Sequence, residues 1–215
     1  MRLLRTVPAS LLSLAALAGC VHPPIPTGDP LNDMKPRRAV RVVEVVDLNR
    51  IKLEDGRTIR MHGVAAPPAD HAAFAAGSQW LRDLLEGKQV VLDDDEENFY
   101  ANDWHSYVFL PDDPARPRFM NGELVRKGFA YAFTTPPNER YEPWLLEQQF
   151  EAREEHIGVW ADRPPAAEYY VTDRMSNYFH RKECPNGAKL HYPDRYGSRA
   201  DALSDHKMPC PDCRP

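Results

Sequence analysis

The chain has 215 residues, with 27 lysines and arginines against 32 aspartates and glutamates, and a formal net charge of −5. A protein that holds nucleic acid without regard to sequence gains its affinity by neutralising phosphates with Lys and Arg. This balance argues against that class, and nucleic acid is not an expected partner.

In chain order, Arg2 and Arg5 precede the apolar run Leu11 to Ala18, which is too short to span a bilayer and is laid out like a signal peptide. Its removal would take both arginines away, leaving 25 basic residues (27 less 2) against 32 acidic ones, or −7. The run ends in Leu17-Ala18-Gly19-Cys20, which resembles a bacterial lipobox. In such signals the peptide is cut before a diacylated cysteine and the new N-terminus is acylated in turn. The resemblance implies a leader over 1–19, lipid (palmitate-type) attachment at Cys20, membrane lipid as a partner and a periplasm-facing place in the cell envelope. Two or three acyl chains anchor stably where one is marginal. An ordinary secretory peptide with a coincidental cysteine is the alternative. Val21 is not the Asp associated with inner-membrane retention, which points to the outer membrane. Residues 20–36 read as an extended tether, since Val21 to Pro36 holds five prolines and a glycine.

The next segment, VVEVVDLNRIKLEDGRTIRMHGVAAPP (Val42 to Pro68), is the most informative. Val43, Val45, Ile51 and Leu53 alternate with polar neighbours, the period-2 pattern of a half-buried strand. Asp55-Gly56 is a hairpin dipeptide of the type I′ kind, in which both central residues need φ > 0. Ile59, Met61 and Val64 carry the following strand.

GRTIRMHGVAAPP (Gly56 to Pro68) resembles the G-x-x-[IV]-R-x-x-G-[IV]-D-x-P-E fingerprint of the staphylococcal (micrococcal) nuclease-like, or thermonuclease, family. Further pieces follow in that family's order: SQWLRDLLEGKQVVL (Ser78 to Leu92), WHSYVFL (Trp104 to Leu110), NGELVRKGFAYAF (Asn121 to Phe133) and EAREEHIGVW (Glu151 to Trp160). The resemblance covers residues 39 to 161. It implies an α+β fold, a five-stranded OB-fold β-barrel with packed helices, here assigned to residues 37–162. It also implies Ca²⁺-dependent cleavage of DNA and RNA in active members.

Carried over residue by residue, the family's chemistry does not survive. The first metal carboxylate of its V-x-D-G-D-T turn falls on Asn49. The second metal carboxylate and the general-base glutamate fall on Ala65 and Pro68. The phosphate-clamping arginine of its Y-G-R stretch falls on Asp103, and no Arg or Lys lies between Val90 and Pro114. Arg60 alone matches the other phosphate-facing arginine, and without its partners it reads as a strand residue pairing with a nearby acid. A hard cation needs several oxygen ligands; Ala65 and Pro68 offer none and Arg50 adds a positive charge, so calcium is not expected. Losing one positioned charge stabiliser costs of the order of 10²–10³ in rate, and here the metal, the base and an arginine go together. No catalytic set is intact.

The run Asp93 to Glu97 reads as a solvated strand end or loop, with a calcium-binding loop as the alternative. Phe74, Trp80, Leu81, Leu84 and Leu85 form a stripe that packs a helix on the barrel, and Trp144, Leu145 and Phe150 do the same for the last helix. Tyr100, Trp104 and Tyr107 fall near the family's cleft and read as barrel packing rather than base-stacking groups. His71, His105, His156, His191 and His206 show no ligand spacing.

Composition shifts at Asp162-Arg163-Pro164-Pro165, a natural boundary, so 163–215 reads as a separate Cys/His module. It holds three of the four cysteines, as His180-x3-Cys184 and Cys210-x2-Cys213. Two thiolates in C-x2-C, one more Cys and a His complete a tetrahedral zinc site. The stretch resembles the Y-H-R-x-x-C … P-C-x-x-C-x-P module appended to other secreted nuclease-like proteins, itself similar to the zinc-binding part of the Ada repair protein. A disulfide with one spare thiol, or a redox-active C-x-x-C, remains open. So short a segment needs a staple of some kind.

The expected protein is therefore a membrane-anchored, nuclease-like pseudoenzyme with a binding or envelope role and an unidentified protein partner. An active Ca²⁺-dependent secreted endonuclease, drawing on Asp47, Asp70 or the acidic run, is one alternative. A metal-handling or redox protein working through the C-terminal module is the other.

Overall fold

The pattern of apolar residues from Val42 to Leu110 closes on itself in a computed structural model that describes residues 39–113, 116–161 and 165–215. The leader, Cys20 and the tether lie outside the described residues. In chain order the elements are β1 (Ala39–Asp47), β2 (Arg50–Leu53), β3 (Thr58–Met61), β4 (Val64–Ala65), α1 (Ala72–Leu85) and β5 (Gln89–Asp93). There follow β6 (Phe99–Tyr100), β7 (Asp103–Leu110), β8 (Arg118–Phe119), α2 (Met120–Arg126), β9 (Tyr131–Ala132) and α3 (Glu142–Glu154). The C-terminal segment adds β10 (Tyr170–Thr172), β11 (Tyr178–Arg181), β12 (Asp194–Tyr196), α4 (Arg199–Ser204) and β13 (Met208–Pro209).

Strands β1, β2 and β3 form an antiparallel meander, and β5 pairs with β1 and β7. A parallel pairing of β3 with β7 shuts the five-stranded barrel. Inside it sit Val42, Leu48, Ile51, Leu53, Ile59, Met61, Tyr107 and Phe109, all but fully buried. Closure leaves the barrel sheet without the open edges of a flat one. Helix α1 seals one flank with Leu81 and Leu85, and α3 another with Leu145. Gly128 and Gly158 both take positive φ (65° and 58°). A Cβ on Gly158 would stand 2.0 Å from the Gly128 carbonyl oxygen, so only glycine lets these two backbones pass.

Three details depart from the sequence expectation. Alternation in β1 is broken by register shifts against β2, between Val42 and Glu44 and between Val45 and Asp47. Val42 and Val45 therefore face the core, while Val43 is 47% exposed; a bulge slips every following side chain to the other face. Gly56 takes φ 88° but Asp55 does not enter the left-handed region, and the Leu53 N–H bonds to the Arg57 carbonyl while the Gly56 N–H bonds back to that of Leu53. This is a type I turn with a glycine bulge rather than type I′. In α3, Gln149 and Ala152 go inward and Phe150 stays 43% exposed.

The acidic run is the largest departure. It is not a solvated end at its first three residues. Asp93 is fully buried and accepts hydrogen bonds from Arg140 Nη1 at 2.9 Å and Tyr141 Oη at 2.8 Å. Asp95 accepts from Tyr107 Oη and from the Arg140 backbone N–H, both at 3.0 Å. Arg140 Nη2 also donates to the Asp94 carbonyl at 3.0 Å. One guanidinium, arriving from the turn before α3 more than forty residues away, thus fastens the end of β5. Burial, together with these carboxylates, raises the phenol pKa values of Tyr107 and Tyr141, keeping both as donors. Only Glu96 and Glu97 remain exposed.

The C-terminal segment does not stand apart from the barrel. Its strands form a second sheet in the order β12-β10-β11-β13. Tyr170, Phe179, Ala202 and Leu203 from this segment share a core with Ala73, Ala152, Val159 and Trp160. Polar ties add to it: Arg214 Nη2 meets Asp70 and His206 Nδ1 meets Glu142, each at 2.9 Å.

Replacing Arg140 with Met leaves the Asp93 carboxylate buried without its cation. Breaking one side of a buried pair costs roughly 3 kcal/mol or more, so urea unfolding should show a loss of that order. A loss within experimental scatter would mean that the acidic run is solvated after all.

Candidate functional site

The barrel's open end carries a cleft of about 660 Å³. Asp47, Asn49 and Arg50 reach it from the β1–β2 turn, Arg60 and His62 from the end of β3, and Ala65 and Ala66 from β4 and beyond. Tyr100, Asp103 and His105 come from β6 and β7. Asn177, Tyr178 and Met208, from the C-terminal segment, form another wall. The cleft thus gathers nearly every position at which the family's chemistry would reside.

Its charged groups satisfy one another. Arg60 Nε and Nη2 both donate to Asp103 Oδ2, at 3.0 and 2.9 Å. Arg50 Nε donates to Asp47 Oδ2 at 2.8 Å, with Nη2 at 2.6 Å from the same oxygen. The Asp47 hydrogen bond and charge, with Asp103 beyond, hold the Arg50 pKa above its usual value. Two cations are thus matched by two anions within one cavity.

The other aligned positions carry no spare ligand. Asn49 is buried, and its Nδ2 donates to the Val64 carbonyl at 3.3 Å while its N–H donates to Asp47 Oδ1 at 3.1 Å. A carboxylate at Asn49 would face that carbonyl with nothing to donate. Ala65 lines the cleft with a methyl group, and Pro68 lies outside the lining, its carbonyl accepting the His71 N–H at 2.9 Å. His71 in turn caps α1, its Nδ1 accepting from the Ala73 N–H. Of the three aromatics assigned to this region, Tyr100 alone lines the cleft. Tyr107 is buried in the barrel, and Trp104 packs outside against Phe99 with Arg57 above its ring.

Two cleft residues escaped the sequence reading. His62 and His105 are buried with ring centroids 5.2 Å apart, and Tyr100 stacks on His105 at 3.7 Å. Burial, and then the neighbouring imidazole, pushes His62 down to about 4. Burial, and then the Arg60 charge, does the same for His105. Neither Nε2 has a hydrogen-bond partner among the described residues. His105 was legible, because Asp103, His105 and Tyr107 alternate along one strand and must share a face. Nothing in the run Met61-His62-Gly63 announces His62.

The second constellation is the Cys/His set. Ligand atoms of His180, Cys184, Cys210 and Cys213 lie within 4.8 Å of one another, the first three residues buried. His180 Nδ1 is 3.5 Å from the Cys184 sulfur, and the Arg181 N–H donates to that of Cys213 at 3.4 Å. Burial works to raise the Cys184 thiol pKa, but the Gly187 and Asn186 N–H groups and the Cys213 and Cys210 thiols outweigh it and leave it lowered. Burial, with the neighbouring sulfurs, pushes Cys213 up to about 12. Three crowded sulfurs supplied with N–H donors and one imidazole form a donor set that fits a tetrahedral metal ion. The three thiols are unbonded to one another.

A closed OB-type barrel with a cleft at its open end, plus a His/Cys cluster able to hold a metal ion, defines the class. Residues 58–162 match the model of the staphylococcal nuclease homologue family, and the barrel domain is staphylococcal-nuclease-like. Protein ParB of Escherichia coli is 27% identical over 143 residues, covering 63% of this chain and 79% of that protein. A protein of Escherichia coli O157:H7 called an uncharacterized endonuclease is 29% identical over 130 residues, covering 58% and 78%. Among the described residues no helix is long and apolar enough to cross a membrane.

The histidine pair yields a signed pH dependence. Both imidazoles titrate at about 4 when folded and near 6.5 when unfolded. Between those values the unfolded chain binds more protons, so stability falls as pH drops from about 6.5 towards 4 and is fully present above. Urea midpoints taken across that window should decline, and the decline should flatten in His62→Gln/His105→Gln.

Proposed function

We propose that this chain is a nuclease-type barrel that does not hydrolyse phosphodiesters and serves instead as a binding protein of the cell envelope. The observation that carries this reading is the pairing of Arg60 with Asp103, next to Asp47 with Arg50. A phosphate entering the cleft would have to displace Asp103 from Arg60, and the cleft's other arginine, Arg50, is likewise held by Asp47. Ala65 and Pro68 bring no oxygen for a hard cation and no base to orient water. A cavity with matched charges favours a protein segment or a small ligand of low net charge over a polyanion.

Anchorage is the second part of the proposal. Lipidation at Cys20 would tether the barrel to the periplasmic side of a bacterial membrane, the outer one if Val21 is read as above. Strand β1 starts at Ala39 and ends at Asp47 in the cleft, so the tether meets the barrel at the end of β1 remote from the cleft. The cleft would then face an envelope partner rather than the lipid.

Zinc at His180, Cys184, Cys210 and Cys213 is the third part. The ion would be held by these side chains as a structural centre, supplying a four-point staple to a segment with a small core of its own. The sulfur-rich set favours zinc over calcium or magnesium.

The second reading, an active endonuclease with a rearranged site, is favoured by the name carried by the relative from Escherichia coli O157:H7. Incubating the purified chain with plasmid and RNA in Ca²⁺ separates the two. Background hydrolysis is expected, unchanged in Arg60→Ala; cutting that Arg60→Ala abolishes would establish the enzyme. Elemental analysis should find one zinc per chain, lost in Cys210→Ser.

A further inference from the structure

Two of the four Cys/His ligands sit on, or directly after, the strands that wall the cleft. Strands β11 and β13 run parallel, with Tyr178 opposite Met208 and Phe179 opposite Pro209. The Met208 N–H bonds to the Asn177 carbonyl at 2.8 Å and the Cys210 N–H to that of Phe179 at 3.0 Å. Asn177, Tyr178 and Met208 line the cleft. Two residues beyond Tyr178 and Met208 stand His180, on β11, and Cys210, directly after β13 and still bonded to β11, both in the ligand set. Residues two apart project from the same side of a strand, roughly 7 Å from each other. Phe179 points the other way, fully buried in the core shared with α1 and α3.

This ribbon is short. Two residue pairs make a ladder too small to persist by itself, and beside it three sulfurs crowd one another. A cation at the four ligands removes that repulsion and ties β11 to β13 just beyond the last ladder bond. Metal-binding free energy in such a site is folding free energy. Its first structural consequence outside the site falls on Tyr178 and Met208.

We propose that metal occupancy of the Cys/His set builds the outer wall of the nuclease-type cleft, so that the cleft is complete in metal-loaded protein and open on one side without it. This rests on the metal-binding reading of the four ligands given above. The C-terminal segment is then a metal-dependent wall of the binding site rather than an appendage. The opposite wall, from Asp47 to His105, belongs to the barrel and keeps its shape in either state.

Methionine methyl groups report both walls. In full-length protein labelled at the methionine methyls, Met208 and Met61 line the cleft, Met120 lies in the barrel core and Met175 is exposed. The metal-free protein is titrated with Zn²⁺, while Co²⁺ thiolate absorption counts the site independently. One equivalent is expected to move Met208 from a solvent-like to a dispersed position and to shift Met61 across the cavity, with Met120 and Met175 fixed. Cys213→Ser, which lies outside the β11–β13 ladder and keeps an acceptor for the Arg181 N–H, should need at least about tenfold more zinc for the same shifts, from the loss of one of four ligands. Stoichiometric Zn²⁺ binding with Met208 and Met61 unmoved would overturn this proposal and leave the metal site standing. Failure to bind either ion would overturn the metal site, and this proposal with it.

Discussion

The parallel contact between β3 and β7 governs this molecule. It closes the barrel by placing Ile59 against Trp104, Arg60 against His105 and Met61 against Ser106. The same register brings the Arg60 guanidinium onto the Asp103 carboxylate. Fold and site are thus fixed by one ladder: the barrel cannot close in this register without lodging an acid on the arginine. An unpaired guanidinium at that point could grip a phosphate. Here it is consumed within the chain, and Asp47 treats Arg50 the same way.

A comparable economy runs through the rest of the structure. The Asp93–Asp95 stretch looks repulsive as sequence, yet Arg140, Tyr107 and Tyr141 convert it into the tie between β5 and α3. The Cys/His segment is too small to hold a core of its own, yet Phe179 and Leu203 find one against Ala73, Ala152 and Trp160. In each case a liability in the chain is resolved by a partner far away in sequence. The cleft is the meeting place of these solutions, since barrel turns form one wall and the ribbon of β11 and β13 another.

How legible this was depends on how local the cause is. Barrel strands, α1 and the family's succession of elements follow from patterning and the fingerprint around Arg60, and the observed closed barrel agrees. The failures have a common origin in non-local or single-residue geometry. Bulges in β1 turned Val43 outward and Val42 inward, which alternation alone does not foresee. Asp55-Gly56 has the composition of a type I′ turn, but the loop is one residue too long for it. Asp93 looked solvated because its cation, Arg140, lies in the turn before α3, far away in sequence. His62 entered the cleft because a strand happens to end beside it. For the four metal-type ligands, spacing proposed the grouping that the fold brings within 4.8 Å. Nothing in spacing revealed that the strand bearing His180 also lines the cleft.

The central claim is that the cleft's charges are spent on each other and leave no grip for a cation and a phosphate together. Calorimetric titration of the full chain with Ca²⁺ and thymidine 3′,5′-bisphosphate tests it most directly. The account predicts no heat beyond dilution for either component alone or for both together. Saturable, calcium-dependent binding of the bisphosphate that weakens in Arg60→Ala would contradict it.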